Sequence, residues 1–122
     1  MDLFAQYAVV CSDQALKDAG LEGDDSPVDP DRAGVIWGSG IGGFQTFMNE
    51  ALNFHRGEGI PRFSPFFIPM MISDIAAGHI SMRHGYRGPN FCTVSACASG
   101  TNAMIDAFNY ICLLYTSPSP RD

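Results

Sequence analysis

The sequence is poor in basic residues and has no long apolar run. Its 122 residues carry 7 Lys and Arg against 13 Asp and Glu, which gives a formal net charge of −6. Nucleic-acid-binding domains normally present a clustered basic patch, so we expect no nucleic-acid partner. Spanning a bilayer takes roughly 20 consecutive apolar residues. Neither such a run nor a charged-then-apolar signal segment is found, so we expect no membrane partner either.

Paired cysteine motifs are also lacking. The four cysteines, Cys11, Cys92, Cys97 and Cys112, show no C-x-x-C spacing. Zinc sites and disulfide frameworks are recognised by such spacings, and disulfides also require an oxidising compartment. The sequence therefore predicts no bound metal and no disulfide. A reducing cytoplasm is the expected location.

What is present is a series of helix and strand patterns separated by turns. Apolar residues make up 46% of the chain, with 13 Gly and 8 Pro, which is typical of an α/β segment rich in turns. Residues 2–19 are predicted to form an amphipathic helix, with Asp2 as its N-cap and Gly20 as its left-handed stop. The apolar stripe of this helix includes Cys11, so Cys11 is predicted to be a small core residue.

A buried parallel strand is predicted at residues 33–37, after an acidic loop at 22–31. The strand leads into Gly-Ser-Gly-Ile-Gly-Gly at 38–43. Glycines allow backbone N–H groups to approach an anion, but this run lacks the Lys-Ser/Thr pair of a P-loop. We interpret it as a tight strand-to-helix turn beside a substrate pocket.

Two helices are predicted next, at residues 44–57 and 71–82, with Gly85 ending the second. Between them lies Ser-Pro-Phe-Phe-Ile-Pro at 64–69. This segment is too aromatic for a plain solvent loop, which indicates burial against a partner or a pocket.

The stretch at 91–103 carries the candidate chemistry. Residues 91–95 predict a short strand, and the pattern after it predicts a helix from Ala98 to about Leu114. Cys97 would lie on the sharp turn between them. There the unpaired N–H groups at the helix start favour the nucleophilic thiolate. A lone cysteine among small residues is, however, more often a buried and inert thiol.

The run Val-Ser-Ala-Cys-Ala-Ser-Gly at 94–100 closely resembles the nucleophile motif of the β-ketoacyl-[acyl carrier protein] synthases, the condensing enzymes of fatty-acid synthesis. Four further segments agree with that family in order and spacing: Gly-Ser-Gly-Ile-Gly-Gly at 38–43, Ser-Pro-Phe-Phe-Ile-Pro at 64–69, Ala-Gly-His at 77–79 and Arg-Gly-Pro at 87–89. The resemblance covers residues 1 to about 111 and is closest to the type II elongating synthases.

The resemblance implies an α/β fold, namely a partial thiolase-like fold that forms the first half of a duplicated α-β-α-β-α layered architecture. It implies that Cys97 is the catalytic nucleophile and that its backbone N–H is one oxyanion donor. Ile41 and Phe67 match substrate-binding positions at the acyl pocket. The family's catalytic histidines follow the cysteine, so His79 and His84 are interpreted as structural.

The implied partners are an acyl carrier protein, which delivers its substrate on phosphopantetheine, and a second subunit in a homodimer. No cofactor of the enzyme itself is implied. The expected domain is a partial N-terminal β-ketoacyl synthase domain at residues 1–111, truncated at both ends. Residues 112–122 resemble translated sequencing-adaptor read-through or a disordered tail, and we exclude them from the fold.

Three alternatives remain open from the sequence. A ketosynthase domain of a polyketide synthase shares the same turn. A non-catalytic scaffold would carry an inert Cys97. A cysteine hydrolase would need one of the three histidines present, His55, His79 or His84, as its base.

Overall fold

Two short parallel strands and the helices that follow them organise the fold. The computed structural model describes residues 1–23, 26–57 and 62–114. In chain order the elements are α1 (Leu3–Asp18), β1 (Val35–Gly38), α2 (Phe44–Arg56), α3 (Phe67–Met71), α4 (Ile75–His84), β2 (Asn90–Thr93), a 3-10 turn (Ala96–Ala98), α5 (Ser99–Asn109) and a π-helical turn (Tyr110–Leu114).

The sheet pairs β1 with β2 in parallel, with Val35 opposite Asn90 and Gly38 opposite Thr93. One further hydrogen bond extends the pairing, from the Ser39 N–H to the Thr93 carbonyl at 3.2 Å. Both strands therefore end together, and the segments that leave them begin at the same edge. In open α/β sheets this carboxyl edge is where ligand sites form.

The best-packed region lies between α1 and α4. Ala5 and Ala8 from α1 meet Ala76 and Ile80 from α4, and all four side chains are at most 4% exposed. Because three of the four are alanines, the two helices approach closely. Trp37 and four other partly buried side chains surround this contact: Phe4, Val9, Val35 and Ile75.

The predicted ends of α1 are confirmed. Asp2 is the N-cap, and its carboxylate accepts the Phe4 N–H at 3.4 Å. At the other end, Gly20 has a φ of +68°. Its N–H donates to the Lys17 carbonyl at 3.0 Å, and the Leu21 N–H donates to the Leu16 carbonyl at 2.9 Å. This pair of bonds is the Schellman arrangement that ends many helices.

The prediction that Cys11 is a core residue is wrong, because Cys11 is exposed. The buried side chains of α1 are Ala5 and Ala8. Ala8 belongs to the predicted stripe of Phe4, Ala8, Cys11, Ala15 and Ala19, whereas Ala5 lies beside it. Alanines and other apolar residues occupy more than one face of this helix, so periodicity alone did not identify the face that α4 covers.

The helix predicted at 71–82 is also wrong in its bounds. Ile72 is extended, with φ −61° and ψ 143°, so a short α3 ends at Met71 and α4 begins at Ile75. The break frees the Met71 carbonyl to accept the Gly43 N–H at 2.8 Å. A hydrogen bond to the distant Gly43 therefore takes the place of a continued helix at this point. The predicted helix end at Gly85 is confirmed by its φ of +70°.

The remaining helices lie close to their predicted bounds. α2 ends at Gly57 as expected. The final helix is interrupted, because the 3-10 turn precedes α5 and the π-helical turn follows it. Residues 112–114 continue this helix, and residues 115–122 of the proposed non-native tail lie outside the described residues.

In the described part of the chain, no helix combines the length and apolarity needed to cross a membrane.

Candidate active site

Cys97 occupies the middle of the 3-10 turn that joins β2 to α5, and its side chain is exposed. The residue before it, Ala96, has a φ of +47°. Left-handed backbone costs a residue with a Cβ about 1–2 kcal/mol, and such strain persists only where the surroundings impose it. The turn therefore presents the sulfur at the carboxyl edge of the sheet on a constrained backbone, as the sequence predicts.

A hydrogen-bond network centred on Ser99 imposes this conformation. The Ser99 hydroxyl accepts the Ser95 N–H at 2.9 Å and donates to the Ala96 carbonyl at 2.8 Å. Asn102 donates its side-chain N–H to the Ser95 hydroxyl at 2.7 Å. The Thr93 hydroxyl donates to the Ser99 carbonyl at 3.1 Å.

Sequence reasoning did not assign these supporting roles to Ser99, Asn102 and Thr93. Ser99 is only 4% exposed, and a buried hydroxyl at a helix start is normally hydrogen-bonded. Ser95, Ser99 and Asn102 recur at intervals of one helical turn at the start of α5. That spacing is the signal that could have identified them.

The glycine run at 38–43 lies against the same turn, which confirms that it is a tight strand-to-helix connection. A Cβ on Gly38 would lie 2.5 Å from the Ser99 carbonyl carbon and oxygen, so only glycine permits this approach. A Cβ on Gly40 would lie 3.9 Å from the Ala96 Cα. The loop therefore brings Gly40, the residue before Ile41, close to Ala96, the residue before Cys97.

Ile41 is 74% exposed and borders an apolar hollow of about 280 Å³, which is completed by Phe44, Phe47 and Met71. Phe67 is the first residue of α3 rather than part of an irregular loop. Its ring stacks on Phe47, with 6.3 Å between ring centroids. Phe47 therefore links the two predicted substrate-binding residues, because it stacks on Phe67 and lines the same hollow as Ile41.

The second cysteine of this region differs from Cys97. Cys92 is half-buried in β2, and its Sγ lies 3.5 Å from the Thr93 carbonyl oxygen and 4.0 Å from that of Ser39. Burial raises the pKa of the Cys92 thiol. A thiol held in its protonated form is a poor nucleophile, so Cys92 fits a structural role.

Among the histidines, His84 has a charged partner, and that partner is Asp13 of α1. His84 Nε2 is 3.2 Å from Asp13 Oδ1, at the contact between α1 and α4. Arg83 Nε also reaches this oxygen, at 2.8 Å, and its hydrogen bond lowers the pKa of Asp13. Within residues 1–23, 26–57 and 62–114, no cluster of three His, Cys, Asp or Glu side chains could hold a metal ion.

These features define a class: an α/β protein with an exposed cysteine on a strained strand-to-helix turn at the carboxyl edge of its parallel strands. The sequence model described as "Beta-ketoacyl synthase, N-terminal domain" matches residues 1–113. The chain therefore belongs to the β-ketoacyl synthase family.

Curated proteins with similar sequences also support this family assignment. The chain is 48% identical over 111 residues to the 3-oxoacyl-[acyl-carrier-protein] synthase 2 of Staphylococcus aureus strain N315, covering 91% of this chain and 26% of the relative. It is 42% identical over 111 residues to the protein of the same name from Synechocystis sp. strain PCC 6803, with the same coverage. The chain thus spans about a quarter of the length of these curated relatives.

Solved structures show the same fold. A β-ketoacyl synthase from Burkholderia phymatum STM815 has a TM-score of 0.73 at 29% identity, over 88% of this chain and 26% of that one. A second is the complex AntDE:AntF, a type II PKS acyl-carrier protein with its ketosynthase bound to the hexaketide. Its TM-score is 0.79 at 28% identity, over 91% of this chain and 31% of that one. The predicted partial thiolase-like α/β fold is confirmed.

Proposed function

We propose that this chain is part of a 3-oxoacyl-[acyl carrier protein] synthase that elongates fatty acids through an acyl-enzyme at Cys97. The observation that supports this most directly is the exposed Cys97 on a strained turn at the start of α5. The 48% identity to a 3-oxoacyl-[acyl-carrier-protein] synthase 2 supports the reaction class.

In the first half-reaction, the Cys97 thiolate attacks the carbonyl carbon of an acyl carrier thioester. The carbon–sulfur bond to the carrier breaks, and the carrier thiolate leaves and takes up a proton. In the second, a malonyl carrier loses CO2, and the resulting carbanion attacks the Cys97 thioester. The product is a 3-ketoacyl carrier that is two carbons longer, and the Cys97 thiolate is released.

The proposal assigns further roles to this chain. The Cys97 backbone N–H supplies one donor to the tetrahedral oxyanion, and Ile41 and Phe67 contact the acyl chain. The apolar hollow that Ile41 lines supports its assignment, since an alkyl chain is stabilised by apolar surroundings. Phe67 stacks on Phe47, which lines the same hollow. The second oxyanion donor and the catalytic histidines come from a part of the enzyme other than these residues, so we expect the isolated chain to be inactive.

The proposed partners are an acyl carrier protein and a second copy of the enzyme, and the proposed location is the cytoplasm. The complex AntDE:AntF joins a ketosynthase to an acyl-carrier protein, which supports a carrier protein as the partner. The same complex is the observation that suggests a second candidate function, a type II polyketide ketosynthase. Its identity of 28% is well below the 48% of the fatty-acid synthase relative, and we therefore favour fatty-acid elongation.

The test is acyl transfer from acetyl and long-chain acyl carriers to the full-length enzyme, followed by mass spectrometry of the peptide that contains Cys97. We expect a mass increase on Cys97 and none in Cys97→Ala, with Cys92→Ala as the matched control that retains transfer. Normal acyl-enzyme formation in Cys97→Ala would contradict the assignment. A Cys97 that never takes up acyl groups would favour a non-catalytic scaffold.

A further inference from the structure

A hydrogen bond joins α2 to the segment that precedes α3. The Glu50 carboxylate accepts the Ser64 N–H at 3.1 Å. Both residues are half-buried, and they are separated by 14 positions in the chain. A carboxylate acceptor makes such a bond stronger than one between neutral groups. Glu50 therefore fixes the position of Ser64 relative to α2.

Ser64 in turn organises the start of α3. Its hydroxyl accepts the Phe66 N–H at 3.2 Å, and its carbonyl accepts the Phe67 N–H at 2.9 Å. Both of these N–H groups belong to the first turn, where a helix supplies no partners of its own. The position of Ser64 therefore determines where the backbone of Phe67 enters the helix.

The Phe67 ring belongs to a continuous stack of aromatic side chains. It lies between Phe47, at 6.3 Å between centroids, and Phe63, at 5.8 Å. Phe63 also stacks on Phe54 of α2, at 5.5 Å. Because Phe47 lines the hollow beside Ile41, a displacement of α3 would alter the wall of that hollow.

We propose that Glu50 is a positioning residue that selects acyl-chain length: through Ser64 it holds Phe67 against Phe47 and so defines the apolar hollow. This inference rests on the proposed function, since it takes the hollow as the site of the acyl chain. Glu50 itself contacts no substrate. A long alkyl chain depends on the shape of the hollow, because closely packed apolar surfaces tolerate displacement poorly. An acetyl group is far shorter, so we expect its transfer not to depend on that shape.

The first measurement is amide hydrogen exchange of the full-length enzyme, resolved to the peptide covering residues 62–67. Glu50→Ala removes the acceptor, and we expect exchange of this peptide to become about tenfold faster, as for loss of one hydrogen bond to a charged group. Glu50→Gln keeps an oxygen acceptor and should restore most of the protection. Asn53→Ala, an exposed position on the same helix, is the matched control and should leave exchange unchanged.

The second measurement compares acetyl and dodecanoyl carriers as acyl donors to the same variants. For Glu50→Ala we expect a several-fold higher KM with the dodecanoyl donor, while kcat and the acetyl KM stay near wild-type values. Glu50→Gln should behave as wild type. An equal loss for both donors, or unchanged exchange at 62–67 in Glu50→Ala, would overturn the inference. Absence of acylation in the wild-type enzyme would instead refute the proposed function, and the exchange result would still decide whether Glu50 positions Ser64.

Discussion

At the scale of single residues, Cys97 and Cys92 differ in how readily a reagent can reach the thiol. Cys97 is exposed, so a reagent or a thioester can reach it. Cys92 is half-buried in β2, and burial raises the pKa of its thiol above the ordinary value of 9.0. The thiolate is the reactive form, so limited access and a raised pKa both slow reaction at Cys92.

We therefore predict that iodoacetamide at pH 8 alkylates Cys97 faster than Cys92 in the folded full-length enzyme. Because the Cys92 pKa is raised above 9.0, its reaction rate should still be increasing with pH at 9.0 instead of levelling off there. Peptide mass spectrometry over a time course measures both rates. In denaturant the difference should disappear, and similar rates in the folded protein would contradict this account of the site.

At the scale of secondary-structure elements, the contact between β1 and α5 holds the nucleophile turn. Gly38 ends β1, and its Cα faces the backbone of Ser99 and Gly100 at the start of α5. Backbone atoms cannot move aside as a flexible side chain can. The helix that carries the Cys97 turn is therefore positioned directly by the strand.

Gly38→Ala should displace this contact, because its Cβ would lie 2.5 Å from the Ser99 carbonyl carbon. We expect the free energy of unfolding to fall by about 1–3 kcal/mol, as in other overpacked sites, together with slower acylation of Cys97. Urea denaturation and acyl-transfer rates of the full-length enzyme measure the two effects.

The matched control is Gly100→Ala, since a Cβ on Gly100 meets nothing within 4 Å. Alanine is favoured over glycine inside a helix by about 0.5–1 kcal/mol, so this variant should be slightly stabilised. Equal stability changes in the two variants would show that close approach at Gly38 is not required.

The start of α2 depends on a carboxylate from another helix. Asp2 accepts the Thr46 N–H at 2.7 Å and the Thr46 hydroxyl at 2.6 Å, while it also caps α1. Burial acts to raise the pKa of Asp2, but the hydrogen bonds from Thr46 and the backbone outweigh it and lower the pKa below 3.8. One side chain therefore caps two helices.

The lowered pKa predicts a specific pH dependence. The Asp2 carboxylate stabilises the fold fully above pH 3.8, and this stabilisation is lost as the pH falls toward the lower folded-state pKa. In the full-length enzyme, Asp2→Asn should reduce the free energy of unfolding at pH 7 by about 1 kcal/mol, because a neutral amide oxygen accepts the Thr46 hydrogen bonds more weakly than a carboxylate does. The difference from wild type should shrink in acid. Asp18→Asn, exposed at the other end of α1, should show neither effect. A difference independent of pH would contradict the prediction.

At the scale of the whole molecule, little of the apolar surface is covered. Among the residues that the structure describes, the buried hydrophobic ones are five alanines, Ala5, Ala8, Ala76, Ala77 and Ala103, together with Ile80. In contrast, Phe44, Phe66 and Phe108 are each more than half exposed. Exposed apolar patches of more than a few hundred Å² mark interfaces or aggregation sites.

We predict that the 122-residue chain expressed alone is insoluble or molten, without a cooperative thermal transition. Its small core of alanines contributes too little apolar burial to offset the conformational entropy of ordering the chain. Scanning calorimetry and binding of a hydrophobic dye test this. A sharp transition from a soluble monomer would contradict it and would favour the scaffold interpretation.

Local sequence determined the features that depend on a few neighbouring residues. The caps at Asp2, Gly20 and Gly85 follow from side chains and backbone preferences within one turn of the helix end. The turn at Cys97 follows from small residues between a strand pattern and a helix pattern. The family resemblance came from motifs of this short-range kind, and it predicted the fold class correctly.

Tertiary packing alone decided which helix face is buried, where a helix ends and which distant segments meet. It selected the Ala5–Ala8 face of α1 and left Cys11 exposed, because α4 packs there. It ended α3 at Met71, where the freed carbonyl accepts the Gly43 N–H. It also joined Glu50 to Ser64 and Gly38 to Ser99, contacts between segments far apart in the chain. A local sequence pattern cannot predict these contacts, because each one joins residues far apart in the chain. The position of each residue depends on the packing of the whole molecule.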